Sequence, residues 1–279
     1  MINLPEQFQI NMKELLQDEY DDYFDSFSND RVYGLRINTN KISVNDFLKI
    51  NPFNLRPIPW TDDGFYFDDN DKPSKHPYYY AGLYYIQEPS AMTPVTWLEP
   101  EPDDIVLDLC AAPGGKSTQI ATKLTGKGYL VTNDPSASRC KALLKNIELA
   151  GIGNAVITCA NPKELESVYP SFFDKILVDA PCSGEGMFRK DRAVLNAYKE
   201  HGPSYFAPIQ KSVLSSAVSM LKPGGTLVYS TCTFSVTEDE DNVKWLIENN
   251  PEMKLEKMIK LLPHLIKGEG HFVAKFKKL

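Results

Sequence analysis

The sequence is short of the features that mark secreted, membrane-spanning or zinc-built proteins. Its five cysteines, Cys110, Cys140, Cys159, Cys182 and Cys232, are odd in number, far apart and contain no Cys-x-x-Cys. This argues against a disulfide framework and against a structural zinc site, and no metal is expected. No apolar run reaches about 18 residues, and the amino terminus lacks a charged-then-apolar leader pattern. A cytoplasmic chain without a membrane partner is the expectation. Internal repeats and low-complexity tracts are absent too, while 42% apolar and 24% charged residues are ordinary for a globular protein. Two phosphate-binding patterns are also missing. The glycines near residue 114 are not spaced Gly-x-Gly-x-x-Gly, so a dinucleotide is not the first choice. A Walker pattern before Gly115-Lys116-Ser117 would need glycine where Cys110 stands.

A formal charge of -7 looks wrong for a nucleic-acid binder until it is located. Residues 1–30 hold eight acids against one base, so the rest of the chain balances at 29 against 29. What matters is a local basic patch. Arg31, Arg36 and Lys41, with Lys267, Lys275, Lys277 and Lys278, are the candidates for one, the alternative being solvated surface charge.

What is present is organised around Ile105-Val106-Leu107-Asp108-Leu109-Cys110-Ala111-Ala112-Pro113-Gly114-Gly115-Lys116-Ser117-Thr118. Large apolar residues, then small ones and two glycines, then helix formers read as a buried parallel strand, a tight turn and a helix start. In an open α/β sheet the ligand crevice lies beyond the carboxyl ends of the strands, and glycine lets backbone approach a ligand closely. An adenosine-type ligand is the expectation.

Upstream, residues 5–27 are helical in pattern with an acidic face, Tyr33–Asn38 alternates as a strand, and Ser43 is placed to cap a short helix through Ile50. Extended pieces near Arg56–Trp60 and Gly64–Phe67 complete a small α+β module of about 75 to 80 residues, with Asp68–Pro77 as its exit loop. Tyr84–Met92 then leads into a helix. Downstream, strand and helix signals alternate as a parallel sheet requires: strands at Tyr129–Thr132, Ala155–Thr158, Phe173–Asp179 and Thr226–Ser230, separated by helices and one long connection, Glu185–Ala207. Cys140, Leu143, Leu144 and Ile147 form one apolar stripe, which makes Cys140 a core residue. Segments near Met253–Met258 and His271–Phe276 close the chain. Five βα units and a terminal strand pair resemble the seven-stranded methyltransferase sheet, whose last strand runs antiparallel.

The chemically suggestive residues, Asp108 to Lys116, Asp134, Asn161, Asp179 to Cys182 and Cys232, all follow predicted strands, so they converge on one crevice. Asp134 is placed to accept from ribose hydroxyls; capping the helix beside Pro135 is its alternative. A single free cysteine is most often a small buried hydrophobe. Two of them just after sheet strands and 50 residues apart predict two thiols at the mouth of the same crevice.

Three stretches, Asp108–Lys116, Asp179–Lys190 and Tyr229–Phe234, together with Gln87–Met92 and Gly268–Phe272, resemble the Nol/Nop/Sun family of RNA cytosine carbon-5 methyltransferases, nearest its bacterial small-subunit ribosomal RNA branch. The resemblance spans nearly the whole chain. It implies a Rossmann-like seven-stranded class I methyltransferase sheet over residues 79–279 and an RNA-associated α+β module over 1–78. It also implies S-adenosyl-L-methionine as cofactor, held by Cys110, Ala111, Ala112, Pro113, Gly114, Gly115, Lys116, Asp134 and Asp179, with Arg139 and Asn161 in contact. The family often has aspartate where Asn161 stands. Its pattern makes Cys232 the nucleophile, Cys182 the residue that assists release, and Asp179 the partner of the cytosine edge near nitrogen 3. Cytosine carbon 5 is a poor nucleophile until a thiolate adds to carbon 6, and a base must then remove the carbon-5 proton. The target base has to leave its stack.

Small-subunit ribosomal RNA is the expected partner, ahead of transfer RNA, and the chain is expected to act as a monomer. A DNA cytosine methyltransferase would take its thiol from the Pro181-Cys182 position, but Thr231-Cys232 favours RNA. An adenine methyltransferase would want an Asn/Asp-Pro-Pro-aromatic stretch, which Asp179-Ala180-Pro181-Cys182 lacks. A noncatalytic RNA-binding or assembly protein has no need of both cysteines, the aspartate and the glycine turn. Relatives in this branch usually continue into an extra RNA-binding region, so affinity or site selection is expected here to depend on the amino-terminal module or a partner, or to be impaired.

Overall fold

The computed structural model describes residues 4–279, so residues 1–3 of the expected amino-terminal module lie outside the described residues. The first part contains α1 (Glu6–Leu16), α2 (Tyr20–Asp25), β1 (Tyr33–Ile37), α3 (Val44–Ile50), β2 (Arg56–Pro57), β3 (Gly64–Phe67), α4 (Pro77–Tyr80) and β4 (Tyr84–Ile86). It is followed by α5 (Thr93–Leu98), β5 (Ile105–Asp108), α6 (Gly115–Ala121), β6 (Tyr129–Asn133), α7 (Ala137–Ala150), β7 (Ala155–Thr158), α8 (Pro162–Val168) and β8 (Phe173–Asp179). The chain closes with α9 (Arg192–Glu200), α10 (Pro203–Met220), β9 (Leu221–Thr231), α11 (Glu240–Asn249), β10 (Met253–Leu261) and β11 (His271–Lys278).

The large sheet runs β10-β11-β9-β8-β5-β6-β7. β5 to β9 are parallel, and β11 is antiparallel to both β9 and β10, as the sequence predicts. Strands buried on both faces need apolar residues at every position rather than every second one. Leu107, Ile176, Val178, Leu227 and Tyr229 pack on one side with Leu214, Ala217 and Leu246 of α10 and α11. Their neighbours Val106, Leu177 and Val228 pack on the other with Val95, Leu98 and Ile120 of α5 and α6. Each such side chain contributes about 1.5–3 kcal/mol on burial. The chain builds β5, β6 and β7 outward and then crosses back to lay β8 on the other side of β5. The crevice at that reversal lies between the ends of β5 and β8.

The amino-terminal region departs from expectation in two respects. Its four-stranded sheet, β2-β3-β1-β4, takes in Tyr84–Ile86, a segment read from sequence as leading into a helix and lying beyond residue 78. Tyr84 sits in that sheet's core with Leu35, Ile37, Phe47 and Phe65. The helical stretch, broken by a turn at Gln17–Glu19, does not share this core. Phe8, Met12 and Tyr23 instead pack on Phe188, Leu195, Tyr198 and Phe234 of the large domain, where larger aromatic partners are available. Ser43 caps α3 as expected, accepting from the Asp46 N–H at 3.1 Å.

Two further readings are corrected. Only Leu143 and Ile147 of the α7 stripe are buried, because α7 covers the thin margin of the sheet; Leu144 is 46% exposed. Cys140 is half-buried, with its thiol against the Asp134 carbonyl at 3.1 Å. The proposed basic patch is largely committed to internal bonds. Arg36 is 1% exposed, Lys41 donates to the Ala81 and Leu149 carbonyls, Lys275 pairs with Glu99, and Lys278 binds the Val218 and Leu221 carbonyls. No helix among the described residues is long and apolar enough to cross a membrane.

Arg36 fastens the small sheet to the start of α6, donating to Gln87 Oε1 at 3.1 Å, the Gly115 carbonyl at 3.2 Å and Thr118 Oγ1 at 2.8 Å. Replacing it with methionine keeps the stem but takes the donor from Gln87 Oε1 and Thr118 Oγ1, while the Gly115 carbonyl keeps the Thr118 hydroxyl at 2.9 Å. Arg36→Met should therefore lower the free energy of unfolding by about 3 kcal/mol. An unchanged denaturant midpoint would contradict this role.

Candidate active site

The glycine turn after β5 is held in place by its neighbours. The Ala111 N–H donates to the Asn133 carbonyl at 2.8 Å, and Asn146 Nδ2 donates to the Pro113 carbonyl at 2.8 Å. Gly114 has φ +110°, and a Cβ there would lie 3.0 Å from Leu143 Cδ1, so only glycine fits. Asp134, at the end of β6, is fully buried. Its Oδ2 accepts from the Ala112 N–H at 3.3 Å and pairs with Arg139 Nη1 at 3.2 Å; its Oδ1 accepts from the Ser136 N–H at 3.0 Å. Arg139 also donates to the Ala112 carbonyl at 2.7 Å. Thus Cys110–Gly115, Asp134 and Arg139 form one unit, in which the exposed Arg139 side chain covers the acid. Burial, with nearby carboxylates, pushes the Cys110 thiol up, so it stays neutral. Asn161 stands apart: it caps α8, accepting from the Lys163 N–H at 3.2 Å while Glu164 returns the bond.

Across the switch point, Lys116 Nζ lies 2.7 Å from Asp179 Oδ2. Asp179 Oδ1 accepts from Ser230 Oγ at 2.8 Å and lies 3.3 Å from His271 Nε2. Burial alone would push this carboxyl up, but the Lys116 ammonium and His271 outweigh it and hold it well below the usual range, fully ionised. Beside this cluster, the Cys182 and Cys232 sulfurs are 3.3 Å apart, both half-buried. The hydrogen bond to Cys232 and burial push the Cys182 thiol up, so it keeps its proton.

The loops bearing the sulfurs rest on polar groups that the sequence reading passed over. The Ser183 N–H and hydroxyl both donate to Glu238, which also accepts from Gln210 Nε2 at 2.9 Å. Glu185 accepts from the Phe234 N–H at 3.0 Å and the Tyr198 hydroxyl at 3.1 Å, and the Gly186 N–H donates to the Cys232 carbonyl at 2.9 Å. His271 carries no strand-end signal in the sequence, because it stands at the start of its strand rather than after its end. An antiparallel strand brings its amino end to the same edge, and His271 opens β11.

A seven-stranded sheet with its last strand inserted antiparallel, and polar side chains gathered at the reversal, defines the class I methyltransferase fold. The model of the family described as 16S rRNA methyltransferase RsmB/F matches residues 95–277, and that of the N-terminal domain of 16S rRNA methyltransferase RsmF matches residues 4–89. The chain belongs to the RsmB/F family. It is similar to ribosomal RNA small subunit methyltransferase F of Citrobacter koseri, at 35% identity over 99% of this chain and 64% of that protein. Its likeness to the protein of the same name from Erwinia tasmaniensis is 37% identity over 99% and 63%. It thus spans just under two thirds of the length of these relatives. Among solved structures, a methyltransferase homolog protein from Pyrococcus horikoshii superposes with a TM-score of 0.86 at 27% identity, covering 100% of this chain and 96% of that one. NSun6 from the same organism, solved with SFG, shares the fold, with a TM-score of 0.83 at 24% identity over 98% of each chain.

One buried acid gives the site a pH signature. Burial pushes the Asp108 carboxyl up to about 7, and its Oδ1 has no partner. The folded chain keeps this proton to about pH 7, whereas an unfolded aspartate releases it near about 4. Folding therefore takes up a proton in that window, and stability falls as the pH rises through it. Asp108→Asn should shrink the loss of thermal stability between pH 5 and pH 8, an effect of order 1–4 kcal/mol. Parallel pH profiles for the two proteins would contradict it.

Proposed function

We propose that this chain methylates carbon 5 of a cytosine in RNA, with S-adenosylmethionine as donor and small-subunit ribosomal RNA as substrate. The observation that carries the reading is the pair of sulfurs 3.3 Å apart beside Asp179. Membership in the RsmB/F family and the names of the relatives support the RNA class.

The donor, when bound, supplies an electrophilic methyl group on a sulfonium. The residues present fit it: Ala111, Ala112 and Gly114 leave little side chain over the turn, and the Asp134 carboxylate is reached once the exposed Arg139 swings aside. Cys110 to Lys116, Asp134, Arg139 and Asp179 are the proposed holders, with Asn161 at the outer end of the row.

Cys232 acts as the nucleophile at cytosine carbon 6. Cys182, which retains its proton, is placed to donate to it across the 3.3 Å between the two sulfurs. An ionised Asp179 accepts from the exocyclic amino group of cytosine, and Lys116 beside it presents a cation to the same edge. With the Cys232 sulfur bonded to carbon 6, carbon 5 takes the methyl group, leaving the spent donor as a thioether. A base then accepts the carbon-5 proton, and the carbon 6–sulfur bond breaks with its electrons returning to Cys232, Cys182 assisting release. The amino-terminal region, expected as residues 1–78 and here including β4, is proposed to contact the RNA around the target.

Cys232→Ala should reduce methyl transfer at least about 1,000-fold and abolish covalent RNA capture. Cys182→Ala should let a protein-RNA adduct that survives denaturing electrophoresis accumulate. Labelled-methyl assays with small-subunit ribosomal RNA and transfer RNA in parallel read both activity and substrate class. Normal turnover by Cys232→Ala refutes the role, and transfer to transfer RNA alone refutes the substrate.

A further inference from the structure

We infer that His271 is a positioning residue for this reaction: its imidazole holds the Asp179 carboxylate at the angle from which it meets the base. The inference rests on the cytosine reading above.

Strand geometry sets the location. Phe272 pairs with Thr231 across β11 and β9, so His271, one residue earlier, stands beside Cys232. Its side chain is 4% exposed, and Nε2 lies 3.3 Å from Asp179 Oδ1. That nitrogen is buried and has no aligned hydrogen-bond partner. A buried polar atom left unsatisfied is costly, and a small rotation of the carboxylate completes the bond.

The backbone allows the ring little freedom to be elsewhere. Gly270 has φ +100°, and a Cβ there would fall 2.5 Å from Phe234 Cζ. The preceding Glu269 is tied to Arg189 at 2.9 Å, and its N–H to Glu88 Oε1 at 2.8 Å. The groups facing the imidazole are Asp179 from β8, Lys116 from α6, Glu88 from the segment after β4 and the adjacent Cys232. Burial, then the Lys116 charge, pushes the imidazolium down, so the ring is neutral near pH 7. A neutral ring donates to Asp179 without repelling Lys116.

Without it, Oδ1 keeps only the Ser230 hydroxyl, and the carboxylate is free to turn toward Lys116. Misplacement by about 1 Å can lower a rate about 100-fold. His271→Gln retains a donor at the Nε2 position, His271→Asn moves it to the Nδ1 position, and His271→Leu removes it. Each is assayed for methyl transfer to small-subunit ribosomal RNA, with thermal melting and S-adenosylmethionine titration alongside. The leucine and asparagine variants should lose about 10- to 100-fold in kcat, with KM for RNA and donor affinity within about twofold. The glutamine variant should stay within about threefold of wild type. If the leucine variant does not fold, the contrast between glutamine and asparagine carries the same information. Full activity in His271→Leu, or equal activity in the glutamine and asparagine variants, overturns the inference. A wild-type protein without cytosine-5 activity overturns the functional reading and this inference together; an active wild type with an indifferent position 271 overturns this inference alone.

Discussion

The ion pair between Lys116 and Asp179 spans the reversal of the sheet and ties the helix after the glycine turn to the end of β8. The two side chains keep 11% and 30% of their exposure, so the pair adds little net stability, and breaking it leaves a half-buried charge without its partner. The pair therefore acts as a constraint. It keeps a carboxylate ionised in a setting where burial alone would protonate it, and it draws the two halves of the crevice to a fixed separation. Backbone bonds continue the strands past their formal ends, Leu109 N–H to the Leu177 carbonyl and Ala180 N–H to the Ser230 carbonyl. The loops carrying the cysteines thus leave the sheet already aligned.

What aligns the sulfurs is a second set of buried polar groups. Glu238 and Glu185 are both pushed toward their neutral forms by burial, Glu185 to about 7, and each is surrounded by donors from the opposing loop. Ser183 and Thr233, one after each cysteine, share a hydroxyl contact at 2.8 Å. Gln210 of α10 reaches both the Pro181 carbonyl and Glu238, and Asn242 of α11 donates to Gln210. Of the side chains just named, only Asn242 has a buried atom without a partner, its Oδ1, and a network so nearly satisfied is rigid where a half-satisfied one would be a liability. It holds the loops that bear Cys182 and Cys232 in one arrangement, with their sulfurs 3.3 Å apart.

Much of this was legible in the sequence. The alternation of apolar runs and amphipathic helices predicted the parallel strands, and the terminal strand pair suggested the antiparallel insertion, because burial on both faces leaves an unmistakable composition. Strand-end position brought Lys116, Asp179, Cys182 and Cys232 together before any coordinates. What did not show was anything set by long-range packing. Phe8 and Tyr23 carry an apolar face but not the address of its partner, which proved to be Phe188 and Phe234. The segment Tyr84–Ile86 has aromatic residues compatible with either strand or helix approach, and pairing with β1 decided it. His271 lay in a recognised stretch, yet its role depends on the direction of β11, which a local pattern does not encode.

Charge gives the clearest case of a sequence quantity that structure reassigns. Lysines and arginines near the two chain ends look alike as candidates for phosphate contacts. Arg36, Lys41, Lys275 and Lys278 have donors occupied by carbonyls, amides or carboxylates. A cation engaged in this way can neutralise a phosphate only by abandoning a buried acceptor, and that loss offsets the gain from counterion release. Arg31 is a mixed case, exposed but bonded to the Arg189 and Lys190 carbonyls. At these positions positive charge serves internal architecture. On the proposed reading, recognition draws on the crevice and its rim, where the ionised Asp179 offers an acceptor and the Lys116 ammonium a donor 2.7 Å apart.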